Sequence, residues 1–205
     1  MSQGFNPPYA PTRFPMGVGT ANDVETLGNF GQPDPTKYQL LFDDFNFVAN
    51  WTAVTTAIAA GPGGLATITA AGSIASAASW QLDMAKRQFL KVRASAAGAT
   101  TAGLVGFVDA LVPTTGMYVT FLNGLYTLTV GTATVSYQRA FAAAEFVEFG
   151  AVHNPDRNRV ELYVDNELAA TISDATLPVG TNLLLAASAT TANATLDYIF
   201  AATER

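Results

Sequence analysis

Across residues 159–164, Val160, Leu162 and Val164 alternate with Arg159, Glu161 and Tyr163. An apolar side and a polar side at period two describe a half-buried strand. Asp165 and Asn166 follow, and both accept positive φ more readily than most residues that carry a side chain. A tight hairpin is expected there, with residues 168–172 returning as the partner strand. One hairpin is not stable alone in water, so the rest of the chain must supply more sheet.

Similar patterning predicts strands over residues 38–42, 51–58, 65–70, 74–82, 89–96, 102–109, 117–122, 125–130, 132–139, 146–153, 183–189 and 194–202. Turn chemistry separates them at Gly61-Pro62-Gly63-Gly64, Pro113-Thr114-Thr115-Gly116, Asn123-Gly124 and Asn154-Pro155-Asp156. Residues 83–86 read as a short helical turn, and Ala142-Ala143-Ala144-Glu145 makes residues 141–146 a brief helix candidate. Strands recurring every ~8–14 residues with turns between them mark an antiparallel sandwich or barrel. Residues 38–205 hold more strands than an immunoglobulin-like domain of about 100 residues. The expected fold is therefore all-β, an antiparallel two-sheet jelly-roll β-sandwich.

Residues 1–37 differ. Six of the ten prolines lie there, with Gly4, Gly17, Gly19, Gly28 and Gly31 adding further breaks, and no strand or helix period survives. Aromatic and large apolar residues are nevertheless spaced through the segment, which a disordered tail would lack. An extended, irregular N-terminal arm is expected, with a reach on the order of 100 Å. It either wraps its own domain or lies on a neighbouring molecule, and the second is the reading adopted. Its anchors are Phe5, Tyr9, Phe14, Met16, Leu27, Phe30 and Tyr38.

Composition sharpens this picture. Apolar residues make up 49% of the 205 and charged residues only 13%, against about 25% in ordinary soluble domains. A neutral, threonine-rich surface accounts for that, and so does surface buried against other subunits; the strand patterns favour the latter and hence a homo-oligomer, dimer or trimer. The net charge of −6 and the absence of a Lys/Arg cluster speak against nucleic acid. Lys86, Arg87, Lys91 and Arg93 read as the solvated side of one strand. There is no cysteine, which excludes disulfides and thiolate metal sites. Residues 1–8 do not read as a secretory signal, and no apolar run is long enough for a membrane-spanning helix.

Catalytic patterns are weak. His153 is the only histidine, reads as a surface-loop residue, and no Gly-x-Ser-x-Gly elbow accompanies it. A glycoside hydrolase needs two carboxyl groups about 5–9.5 Å apart. Glu145 with Glu148, and Glu161 with Asp165, have the wrong spacing for one strand face. Asp43-Asp44 and Asp109 could supply oxygens to calcium, which needs several such ligands, but two adjacent aspartates are weak evidence for a site. No catalytic residue, cofactor or metal is expected. Trp51, Trp80, Tyr118, Tyr126, Tyr137 and Tyr163 are candidates for stacking on sugar rings, although filling the core is the commoner role of such residues.

The strand ending Leu162-Tyr163-Val164-Asp165, its tight turn and its return strand are similar to a hairpin of concanavalin-like and laminin-G-like jelly rolls, where glycine often stands in place of Asn166. Arg13-Phe14-Pro15-Met16-Gly17, Thr26-Leu27-Gly28-Asn29-Phe30-Gly31, Pro33-Asp34-Pro35-Thr36-Lys37-Tyr38, Phe42-Asp43-Asp44-Phe45 and the closing Asp197-Tyr198-Ile199-Phe200-Ala201-Ala202 resemble a family of virion structural proteins of tailed bacteriophages. The resemblance implies a decoration or cement protein on the outer surface of the capsid, with the major capsid protein as partner. The alternative is a fibre-type or host-recognition module whose sandwich binds carbohydrate.

Overall fold

The computed structural model describes residues 38–45, 51–53, 59–61 and 64–204. Six of the expected arm anchors, Phe5, Tyr9, Phe14, Met16, Leu27 and Phe30, lie outside the described residues. Fifteen strands are present among the described residues: β1 (Tyr38–Asp43), β2 (Trp51–Ala53), β3 (Ala59–Gly61), β4 (Leu65–Ile68), β5 (Ser73–Trp80), β6 (Gln88–Ala96), β7 (Ala102–Val108), β8 (Gly116–Leu122), β9 (Leu125–Val130), β10 (Ala133–Gln138), β11 (Phe146–Asn154), β12 (Arg159–Val164), β13 (Glu167–Ser173), β14 (Leu183–Ala189) and β15 (Ala194–Glu204).

They form two antiparallel sheets, as the patterning predicts. Sheet I runs β13-β12-β11-β6-β15-β4-β3, and sheet II runs β10-β9-β8-β7-β14-β5-β2. The long β15 pairs with β6 on one side and with β4 and then β1 on the other. Two hairpin turns have the chemistry read from sequence: Asn123 and Gly124 take φ of 51° and 74°, and Asp165 and Asn166 take 52° and 66°. Paired positive φ values give the turn twist that matches the flanking strands.

The core lies between the sheets. Leu90 and Val92 of β6, Val147, Phe149 and Ala151 of β11, and Val160, Leu162 and Val164 of β12 face inward from sheet I. Val105, Phe107, Met117, Val119, Phe121, Tyr126 and Leu128 meet them from sheet II. Phe149 stands 5.3 Å from Phe121 and 5.1 Å from Tyr126, ring centre to ring centre, stitching the sheets together.

Three local expectations change, and a fourth falls only partly within the described residues. Residues 141–146 form no helix: Ala144 has φ of 60° and its N–H is taken by Ala96 O at 2.9 Å, so a turn replaces the first helical bond. Residues 83–86 form a turn closed by Lys86 N–H to Asp83 O at 3.2 Å, with Asp83 Oδ1 accepting Ala85 N–H at 2.8 Å. The strand expected over residues 51–58 is β2, ending at Ala53; residues 54–58 lie outside the described set. His153 is not in a surface loop. It lies within β11, one residue before its end, facing the interior at 1% exposure, and its Nδ1 lies 2.7 Å from Lys86 O.

Candidate functional site

Strand alternation gives sheet I a second, outward face. Phe89, Val152, Tyr163, Phe200 and Ala202 cluster there with Tyr38 and Leu40 beside them. Tyr38, expected among the arm anchors, belongs to β1 and packs on Phe89 of its own sheet at 5.9 Å. Beside this cluster Lys91 is 1% exposed, so it is not on a solvated strand side. It forms an ion pair with Glu148 and donates to Asn166 Oδ1 at 2.9 Å. Burial pushes its pKa down to about 8, against the pull of Glu148. Tyr198 donates its hydroxyl to Glu148, and burial, then that bond, drives the phenol pKa upward. Glu161 pairs with Arg159 and accepts Tyr163 O–H at 2.6 Å. Every carboxylate here has a charged or phenolic partner.

The spacing of Glu148 and Glu161 does not fit a glycosidase pair. Glu161 is opposite Val152 in the β11–β12 ladder. Glu148 stands four residues from Val152, so the two acids are offset by about 13 Å along the strand. A glycosidase pair needs about 5–9.5 Å. Glu145 and Asp165 do converge, but both sit on Arg139: Nη2 to Glu145 Oε1 at 2.6 Å and Nε to Asp165 Oδ2 at 2.6 Å. Arg139 holds the Glu145 carboxyl below its usual range, the reverse of what a general acid requires. Asp43 accepts Phe45 N–H and Trp51 Nε1–H, both at 2.7 Å, and Asp109 is occupied by Thr114 and Thr115. Among the described residues no group of three or more Asp, Glu or His side chains converges as metal ligands do.

Four of the six aromatics read as stacking candidates fill the interior or a buried cluster: Trp51, Trp80, Tyr126 and Tyr163 are 7%, 1%, 6% and 2% exposed. Tyr118 and Tyr137 reach solvent, but from different faces. Tyr118 pairs with Thr129 on the outer side of sheet II, while Tyr137 pairs with the core residue Tyr126. They do not make one flat platform.

The polar site that sequence reading missed is a recess at one end of the sandwich. The turn after β5 and the loop before β14 meet there through a parallel bridge between Leu82 and Val179. Leu82 and Met84 supply an apolar floor; Gln39, Gln81, Asp83, Asn182 and Glu204 line it, enclosing about 630 Å³. That volume falls within the range of small-ligand sites. Gln81 Nε2 donates to Asn182 Oδ1 at 3.1 Å, and Gln39 Nε2 to Ser79 O at 3.4 Å. Glu204 Oε2 accepts Arg87 N–H at 3.1 Å, and Lys86 Nζ is 3.8 Å from Asp83 Oδ2. Planar amides and carboxylates present paired donors and acceptors, the chemistry that grips neighbouring hydroxyl groups. The available signal was slight: Gln81 is a polar residue near the end of the predicted strand 74–82, and Asn182 one just before the predicted strand 183–189.

The described fold can be set beside solved structures. The carbohydrate recognition domain of Emp47p superposes with a TM-score of 0.59 at 15% identity, over 82% of this chain and 97% of that one. Arcelin-5, a lectin-like defense protein from Phaseolus vulgaris, gives 0.59 at 7% identity, over 82% and 98%. The apo Crh5 transglycosylase gives 0.57 at 12% identity, over 81% and 84%. The fold is a lectin-like jelly roll. No protein-family model matches the chain, and no curated protein sequence matches it. Structural neighbours of this fold thus include both carbohydrate-recognition domains and an enzyme.

Proposed function

We propose that this chain is a non-catalytic, lectin-like module that binds carbohydrate at the recess lined by Gln39, Gln81, Asp83, Asn182 and Glu204. The observation that carries the reading is the set of three amides and two carboxylates around a small apolar floor. The names of the Emp47p domain and arcelin-5 support it; the Crh5 transglycosylase name points toward catalysis, and the 13 Å offset of Glu148 and Glu161 points away from it. Four or five hydrogen bonds at a net ~1 kcal/mol each correspond to a millimolar site. Useful avidity then requires several copies acting together. A glycan array probed with the multimerised full chain tests the reading. Binding to a defined glycan class, lost with Gln81→Ala plus Asn182→Ala, is expected; uniform silence contradicts it.

A second reading follows from the motifs at the two ends of the chain: a decoration protein on the outside of a phage capsid, contacting the major capsid protein. Charged residues at 13% of the chain suit a protein with much of its surface in contact. Adding purified chain to undecorated shells tests this, since a decoration protein saturates at a copy number set by shell symmetry.

A further inference from the structure

The amides of the recess are neutral and can grip any hydroxyl group, so charge decides which saccharide suits it. Three charged side chains line it: Asp83, Lys86 and Glu204. Lys86 Nζ is 3.8 Å from Asp83 Oδ2, so those two charges offset each other. Arg87, the next basic residue, turns its guanidinium to Asp156 Oδ2 at 2.5 Å. Glu204 has no cationic side chain as partner among the described residues. It is nevertheless held firmly: its Oε2 accepts Arg87 N–H at 3.1 Å, and its own N–H donates to Arg87 O at 3.0 Å. Its Oε1 accepts no hydrogen bond among the described residues, although Glu204 lines the recess. Tyr38 lies across the β1–β15 ladder from Glu204, and burial, then the Glu204 charge, pushes its phenol pKa upward. The recess thus carries one fixed, uncompensated carboxylate beside its amides, in a chain of net charge −6.

From this arrangement we propose that the saccharide taken by the recess is an amine-bearing one, a hexosamine unit with a free ammonium group, and that Glu204 receives that group. The proposal rests on the carbohydrate reading and names its substrate class. Gln81 and Asn182 then hold neighbouring hydroxyls, while Leu82 and Met84 lie under the ring. A hydrogen bond to a charged group is about twice as strong as one between neutral groups, which corresponds to roughly fivefold tighter binding of the amine than of the plain hydroxyl sugar. The same carboxylate works against acidic sugars, because placing like charges together is costly and discriminates between ligands. The expected order is amine-bearing, then neutral, then uronate.

Titrating the isotope-labelled full chain with glucosamine, N-acetylglucosamine, glucose and glucuronate, and with the same set in galacto and manno configuration, tests this. The pH is kept below the pKa of the sugar amine, and the side-chain amide signals of Gln81 and Asn182 report occupancy of the recess. The expected result is a preference of about fivefold for the amine over the neutral sugar in at least one configuration, shrinking as salt rises. Glu204→Gln keeps an oxygen to accept from Arg87 N–H but removes the charge, and should bring the amine-to-neutral ratio close to one. Lys86→Met removes the neighbouring positive charge and should widen that ratio. A neutral or N-acetylated sugar that binds as tightly as the amine in every configuration, while moving the Gln81 and Asn182 signals, overturns the proposal and leaves the carbohydrate reading standing. An amine preference that survives Glu204→Gln also overturns it, because the selecting charge then lies elsewhere. Silence of both amide signals with all the sugars overturns the two together.

Discussion

Lys91 reaches from β6 to Glu148 on β11, forming an ion pair in which Lys91 is only 1% exposed. Its other partner, Asn166, sits in the turn between β12 and β13. A single ammonium group therefore ties the centre of sheet I to the hairpin at its edge. Removing one member of a buried pair strands the other, at a cost of about 3–5 kcal/mol. Lys91→Met alone and Glu148→Gln alone are each expected to destabilise by that amount in urea unfolding. The double variant is expected to recover most of the loss.

Asn166 shows why a glycine is not the better residue at this turn. Its φ of 66° suits glycine, but its Oδ1 accepts from Lys91. Asn166→Gly eases the backbone and removes an acceptor from a buried charge, an interaction worth about 1.5–3 kcal/mol. A net loss of ~1–2 kcal/mol is expected, and it should vanish when Lys91 is already Met. The double-mutant cycle checks this.

Two pH windows separate two buried bases. Burial lowers the His153 pKa from its ordinary 6.5, despite the bond to Lys86 O. The unfolded chain then binds more protons just below 6.5, so stability falls as the pH drops through that window. His153→Gln should flatten this limb. Lys91 lies at about 8 when folded against 10.5 when unfolded, so it makes stability rise between those values as the pH increases. Lys91→Met should remove that rise and leave the acid limb intact. Chemical denaturation from pH 5 to pH 10.5 reads both.

Gly150 stands opposite Lys91 on β11, where an added Cβ would collide with the Leu90 carbonyl oxygen and crowd the Lys91 Cα. Backbone at a sheet centre cannot move aside cheaply. Gly150→Ala is expected to cost about 1–3 kcal/mol, as overpacking does, whereas Gly98→Ala, with open space around it, stays within about 0.5 kcal/mol.

Most of the fold was legible because period-two alternation and turn chemistry act locally. Val160, Leu162 and Val164 point inward as the alternation required, and Asn123-Gly124 and Asp165-Asn166 turn as their φ tolerance allows. What was not legible depends on distant partners. Lys91 reads as solvated because alternation marks it as outward, and only the tertiary cluster of Phe89, Tyr163 and Phe200 reveals that this outward face is itself buried. His153 reads as a loop residue because a turn follows it, yet β11 runs on through Asn154 and holds His153 in its inward phase. The recess joins Gln39, Gln81, Asn182 and Glu204 from four separated stretches, a proximity that no local pattern encodes.

The most direct test of the carbohydrate reading is a side-chain amide NMR titration of the isotope-labelled full chain against the strongest array ligand. The account predicts that the amide pairs of Gln39, Gln81 and Asn182 shift together and saturate at millimolar ligand, while the Gln138 amide, far off on β10, stays still. Shifts confined to residues outside the recess, or none with any glycan of the panel, would contradict it.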